Sequence, residues 1–362
     1  MSIKNPARIL RFEPGENRRI LAVSDIHGNL PYFRSLLEKA GFSKEDELII
    51  VGDFLEKGPC SLETLRFVME LCRQGNVHAL CGNCDDWDTL FLPGAPADED
   101  VVRYIKWRKN SLLWDMCKEL GLEAEDYPRS KELIRRHFAP ELDFLASLPH
   151  VIETENFIFA HGGIRPDLAL EQQEAGQIQR FDDFMNQGFR FDKWVIVGHW
   201  PVMLYGTDRV CANPVIDRES RIISIDGGCV LKDDGQLNAL VIPQRDSRDF
   251  DFIAYDPFPE MTVLDAQDES ESSYYIRWGD NRVQVLQRGE EFSRCRHVRT
   301  GWEMDILTKY LYSEEEITSC NDCTDYRPRL RPGDRVSVVE RCSDKWFIKH
   351  KGVSGWYSGR LE

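Results

Sequence analysis

Six residues in five separate stretches carry the chemistry open to this chain: Asp25 and His27, Asp53, Asn83, His161 and His199. They form a mixed set of carboxylates, imidazoles and an amide, with no thiolate required. Manganese, iron(II) and zinc accept such donors, and one carboxylate can bridge two divalent ions held about 3.5–4 Å apart in hydrolases that use a metal pair. Asp53, in the middle of the set, is the natural bridge. Gly28, Gly52, Gly82, Gly162, Gly163 and Gly198 stand beside these residues, letting the backbone turn sharply and come close to an anionic substrate. One Asp-x-His or Gly-Asp is an ordinary turn. Five such motifs in one order, each at the end of an apolar run, point to a site.

The elements that must position them are legible. Residues 20–84 alternate apolar runs with helical periodicity: Ile20 to Ser24, Tyr32 to Ala40, Glu47 to Val51, Leu62 to Cys72 and Val77 to Leu80. This predicts a βαβαβ unit with polar clusters at the carboxyl ends of its strands, where open α/β sheets place ligands. Strand signals resume at Asn156 to Ala160, Lys193 to Val197, Arg221 to Ile225 and Leu237 to Ile242, and the first two again end in histidine. Between them, about 86–150, charge and tryptophan accumulate over helical runs, Val102 to Cys117 and Lys131 to Phe138, which predicts a helical insertion. Trp87, Trp107 and Trp114 in this stretch read first as core packing and second as the lining of a substrate cap.

The composition is that of a folded protein able to bury a core. Of 362 residues 42% are hydrophobic, and the net charge of −16 argues against a general nucleic-acid binder. The amino-terminal stretch lacks the apolar core of an export signal, and no apolar run reaches the roughly 18 residues of a membrane helix. A cytoplasmic protein with no membrane partner is expected, its 11 cysteines being reduced thiols. Residues 1–245 are expected to form the catalytic domain and 246–275, rich in Asp, Pro, Glu and Ser, a linker. A β-rich domain follows over 276–362. Its segment 328–362, with LRPGDRVSVVE and GVSGWY, resembles bacterial Src-homology-3-like modules, which implies a small β-barrel and a peptide or cell-wall ligand.

With these motifs assembled, residues 25–229 resemble the metallophosphoesterase superfamily, specifically its bacterial PPP-type phosphatase and symmetrical diadenosine tetraphosphate hydrolase branch. The matching stretches are Asp25-Ile-His27-Gly-Asn, Gly52-Asp53, Gly82-Asn83-Cys84-Asp85, His161-Gly-Gly and Gly198-His199, then Ile225-Asp226-Gly-Gly. The resemblance implies a four-layer αββα sandwich carrying the helical insertion. It also implies two divalent ions, manganese first and iron, zinc or magnesium otherwise. Asp25 and His27 would hold one ion, Asp53 would bridge, and Asn83, His161 and His199 would hold the other. The implied reaction is attack of a metal-bridging hydroxide on a phosphomonoester or phosphodiester of a small molecule, nucleotide, dinucleoside polyphosphate or phosphoprotein.

The departures from the pattern are informative. Where the branch carries GDxxDRG this chain has Glu56 and Lys57, and where it carries GNHD or GNHE it has Cys84. All six expected ligands remain. The leaving-group acid, its orienting carboxylate and the phosphate-clamping arginine are all replaced. Cys84 is a poorer acid than histidine, because a cation beside it favours the thiolate, which cannot donate. Lys57 offers a point charge in place of a bidentate fork. Substrates with stabilised leaving groups suffer least. Asn83, Lys57, Arg180 and Arg165 are the candidate phosphate contacts. A zinc site shared by the pairs Cys81/Cys84 and Cys320/Cys323 and a redox role for Cys84 are weaker readings. Two other readings stay open: a catalytically weakened metal- or nucleotide-binding regulator, and an adaptor acting through its carboxyl-terminal module.

Overall fold

Apolar runs without alternation mark strands covered on both faces, and β2 (Ile20–Val23), which follows a short β1 (Ile9–Arg11), and β3 (Glu47–Ile50) are buried throughout. In this computed structural model, which describes residues 5–92, 94–314 and 317–362, the chain divides into two compact units. The first comprises residues 5–201, 214–231 and 235–256. Its five-stranded sheet runs Asp251–Tyr255, Leu237–Ile242, β2, β3, β4 (Val77–Ala79), with β2 to β4 parallel. Its six-stranded sheet runs β1, β5 (Val151–Glu153), β6 (Phe157–Ala160), β7 (Trp194–Val197), Ile222–Ser224, Val215–Asp217.

The two-residue period of the strands assigns the layers. Ile20, Ala22, Ile49 and Val51 pack with Ile152, Phe157, Phe159 and Ile196 between the sheets. Leu21, Val23, Leu48 and Ile50 face α1 (Leu30–Lys39) and α2 (Ser61–Cys72). The outer face of the second sheet is covered by the short helix Ala175–Gln179 and by Phe181, Phe184, Phe189 and Phe191. The order is the expected αββα sandwich, with aromatic loops making up most of its last layer.

The helical insertion is present with different boundaries. The run Val102 to Cys117 is two helices, α3 (Asp98–Trp107) and α4 (Leu112–Glu119), because Ser111 caps α4 by accepting the Trp114 N–H at 3.2 Å. The run from Lys131 begins earlier, as α5 (Tyr127–His137), and is followed by α6 (Ala139–Ser147). Core packing fails as an account of Trp107, which is 70% exposed; Trp87 and Trp114 are partly buried against the core.

Strands occupy the stretch read as a linker. Asp251–Tyr255 pairs antiparallel with Leu237–Ile242 as an edge of the first sheet, and Glu260–Thr262 belongs to the second unit. Edge strands expose one side, so their polar composition resembles that of a loop.

The second unit, 202–213, 232–234 and 257–362, is β-rich. A five-stranded sheet orders Glu260–Thr262, Arg335–Arg341, Trp346–His350, Val353–Tyr357 and Val210–Cys211, around a core including Val263, Leu330, Val336, Ile348 and Tyr357. A three-stranded sheet and two strand pairs complete it. Among the described residues no helix is long and apolar enough to cross a membrane.

Candidate metal centre

The sheet edge brings the six expected ligands of the first unit to one place. Asp25 and His27 follow β2, Asp53 follows β3, Asn83 follows β4, His161 follows β6 and His199 follows β7. His161 Nε2 lies 3.2 Å from Asp53 Oδ1 and 3.2 Å from Asn83 Oδ1. His27 Nε2 lies 3.6 Å from Asp25 Oδ1 and 4.0 Å from Asp53 Oδ2. The His161 and His199 rings are 5.2 Å apart, and the His199 backbone N–H donates to Asp25 Oδ2 at 3.0 Å. Among the described residues, donor atoms cluster within 4.8 Å in two groups, Asp25–Asp53–His161 and His27–Asp53–Cys84. Asp53 is common to both.

This edge is bought with backbone strain. Asp25, His27, Asp53 and His199 all have φ between 50° and 65°, as rarely seen outside glycine. Close approach requires glycine at two neighbours. A Cβ on Gly82 would lie 2.2 Å from Asp53 Oδ1, and one on Gly198 would lie 2.3 Å from Asp25 Oδ2.

The outer ring nitrogens are oriented by carbonyls: His161 Nδ1 meets Val51 O at 2.9 Å and His27 Nδ1 meets Leu55 O at 3.3 Å. Each Nε2 is thereby turned toward the carboxylates, the arrangement of a ligand with its supporting shell. His199 differs, its Nε2 facing Asp182 Oδ1 at 2.9 Å.

Electrostatics fit a cation pair. Burial pushes the Asp25 carboxyl up to about 6, opposed by His161 and reinforced by Asp53. Burial and then Asp25 push Asp226 well above the carboxylate range; its Oδ2 has no hydrogen-bond partner, while Oδ1 accepts the Gly228 N–H. Burial disfavours the His161 imidazolium, but Asp53 and Asp25 together hold its affinity for a proton above the ordinary range. Buried carboxylates that draw positive charge toward themselves, with one oxygen orphaned, suit divalent ions.

The three replaced positions have different surroundings. Glu56 is held by the insertion. Its Oε2 accepts the Tyr104 phenol at 2.5 Å and its Oε1 accepts the Leu112 N–H at 2.7 Å, so it clasps α3 and α4 of the insertion; burial pushes it up to about 7. Lys57 Nζ lies 3.2 Å from His27 Nε2, within the centre. Burial works against its charge, yet Cys84, Asp53, Asp25 and Asp226 hold the ammonium above its usual value. Cys84 sits against the bridge: its N–H donates to Asp53 Oδ1 at 2.8 Å, and burial and then Asp53 push the thiol well up.

The structure does not bring Arg165 to the cluster through any hydrogen bond: its guanidinium is paired with Asp167 at 2.6 and 2.9 Å. Arg180 is exposed and acts electrostatically on Asp86. Neither donor group includes Cys320 or Cys323. Two residues were not singled out from sequence. Asp85 accepts the N–H groups of Asp53, Phe54, Leu55 and Gly82 at 2.7–3.2 Å and so shapes the Asp53 turn; Asp226 joins the carboxylate cluster. Both stand in quoted motifs, which was the available signal.

The sequence pattern of the calcineurin-like phosphoesterase family matches residues 18–227. A symmetrical bis(5'-nucleosyl)-tetraphosphatase of Psychromonas ingrahamii is 33% identical over 174 residues, covering 47% of this chain and 52% of that protein. The chain thus spans about half the length of that relative. The asymmetrical bis(5'-nucleosyl)-tetraphosphatase PrpE of Bacillus velezensis is 22% identical over 249 residues, 62% of this chain and 89% of the relative. The crystal structure of a metallophosphoesterase from Sphaerobacter thermophilus superposes with a TM-score of 0.39 at 20% identity, over 66% of this chain and 88% of that one.

Proposed function

The chain belongs to the calcineurin-like phosphoesterase family, metal-dependent hydrolases of phosphoric esters, and from that premise we propose that it hydrolyses nucleotides or dinucleoside polyphosphates with Cys84 in place of the usual histidine. The observation that carries this reading is Asp53 standing in both donor groups. Asp25, His27, Asp53, Asn83, His161 and His199 would hold two divalent ions. Such ions neutralise phosphate oxygens and activate water at neutral pH.

The chain's own residues supply the rest. Asp85 fixes the Asp53 turn through four backbone N–H groups, so the shared carboxylate is held in place before substrate arrives. Lys57 carries a positive charge beside His27, able to meet a phosphate oxygen as a point charge. Burial and then Asp53 disfavour the Cys84 thiolate, whereas a cation beside it would favour it; either way the sulfur is a weak proton donor to a strongly basic leaving oxygen. Phosphate leaving groups, as in a polyphosphate chain, need no strong acid. The names of the relatives favour the same substrate class.

Manganese-loaded protein is tested on diadenosine tetraphosphate, an aryl monoester and an aryl diester. Chelator-sensitive turnover, with the tetraphosphate or the diester preferred over an alkyl phosphoserine peptide, supports the reading. No turnover of any of them favours the regulatory alternative. A peptide or cell-wall ligand for the Src-homology-3-like segment 328–362 is a further part of the proposal.

A further inference from the structure

A cavity of about 480 Å³ opens beside the centre, reaching Asn83 and Cys84 at one end. It lies within the roughly 300–1,000 Å³ range of small-molecule sites. Its wall is built by the insertion: Trp87 and Tyr104 pack with ring centroids 5.8 Å apart and planes tilted by 55°, and Leu90, Pro96 and Val101 add apolar surface. The polar atoms of both rings are already used. Trp87 Nε1 donates to Cys84 O at 3.1 Å, and the Tyr104 phenol donates to Glu56. Their remaining offer to a ligand is the ring face.

The charged groups on the lining are carboxylates, Asp86, Asp100 and Glu56. Glu56 is committed to the insertion and Asp100 to Arg103 at 3.1 Å. The Asp86 carboxylate is half-buried and has no hydrogen-bond partner among the described residues. A phosphate would be repelled here and would be drawn instead to the centre when that holds its divalent ions. The group that fits is flat, aromatic, uncharged and equipped with N–H donors for an acceptor such as Asp86.

We propose that this cavity holds the nucleobase of the substrate, stacked on Trp87 and hydrogen-bonded to Asp86, while the phosphate chain lies across the metal centre. This rests on the nucleotide reading given above and adds the residues that would select for it. Aromatic stacking tolerates any base; the carboxylate favours bases with an amino group.

The test compares diadenosine tetraphosphate with inorganic tripolyphosphate, which has no base, on metal-loaded full-length protein. The same protein is used for ligand-detected NMR of adenosine binding. In Trp87→Ala the nucleotide-to-tripolyphosphate ratio of kcat/KM should fall roughly tenfold, mainly through KM, the size of one lost stack. Asp86→Ala should lower it severalfold, and both variants should weaken adenosine binding while melting as cooperatively as the parent chain. An unchanged ratio in both variants, with tripolyphosphate still hydrolysed, overturns the pocket and leaves phosphoester hydrolysis standing. If neither substrate turns over, the functional reading fails, and Trp87-dependent adenosine binding still decides the pocket. A preference for p-nitrophenyl phosphate that depends on Trp87 but not on Asp86 would show an aryl site and contradict the nucleobase.

Discussion

The Tyr104 phenol donates a 2.5 Å hydrogen bond to Glu56 Oε2, joining the middle of α3 to the loop that carries Asp53. With Leu112 N–H on the other oxygen, the carboxylate is fully engaged by the insertion. Removing the phenol leaves a buried carboxylate oxygen without its donor, at a cost of about 2 kcal/mol. Tyr104→Phe should lower the stability of the first unit by that order in urea unfolding. An unaltered midpoint would show that the clasp contributes nothing.

Cys84 stands where its N–H binds Asp53 Oδ1 at 2.8 Å, so a replacement side chain inherits the same place. Cys84→His should raise turnover of an alkyl phosphate relative to an aryl phosphate, about tenfold or more, by restoring a stronger acid. Equal relative rates before and after the exchange would remove the leaving-group argument.

His150 offers a pH-dependent measure of the fold away from the ligands. It is buried and accepts the Arg8 N–H on Nδ1 at 3.0 Å; burial and then Arg8 push it down from 6.5 to about 4. The unfolded chain therefore takes up a proton before the folded one does. Stability from this group is complete above pH 6.5, declines as pH falls toward 4 and levels off below, by a few kcal/mol at most. His150→Gln, which keeps an acceptor for Arg8, should flatten that decline in urea midpoints taken between pH 7.5 and 4.5. A decline as steep as in the parent would assign it to other groups.

Asp25, Asp53 and Asp226 are buried side by side and repel one another. A divalent ion at one hundred times its Kd adds about 2.7 kcal/mol to the folded state. Thermal melts should rise by several degrees on adding manganese and fall with chelator, and Asp226→Asn should melt higher than the parent without metal. A parent melt indifferent to both additions would deny that the cluster takes up cations.

The candidate ligands were legible because each ends an apolar run, and the strands were legible because their residues are covered on both faces, as Leu21 and Ala22 are. What sequence concealed depends on tertiary placement. The strand Asp251–Tyr255 sits at a sheet edge with partly exposed side chains and reads as a polar connection. The break before α4 depends on the Ser111 cap within a continuous apolar period. Glu56 stands in a motif at the place of an orienting carboxylate, and its hydrogen bond to Tyr104, 48 residues away in the chain, could not be read from that place. Arg165, read as a phosphate contact, is held by a neighbour two positions on, and nothing in the spacing distinguishes those fates.

In the proposed function Asp53 would be shared by two divalent ions, which would supply the chemistry of phosphoester hydrolysis. The most direct measurement of this is manganese stoichiometry by equilibrium dialysis together with bis(p-nitrophenyl) phosphate turnover, on the parent protein and on Asp53→Asn. Two ions per chain and chelator-sensitive turnover are expected for the parent, with turnover reduced by about two orders of magnitude or more in the variant. Turnover that survives in Asp53→Asn, or that proceeds unchanged with chelator present, would contradict the account.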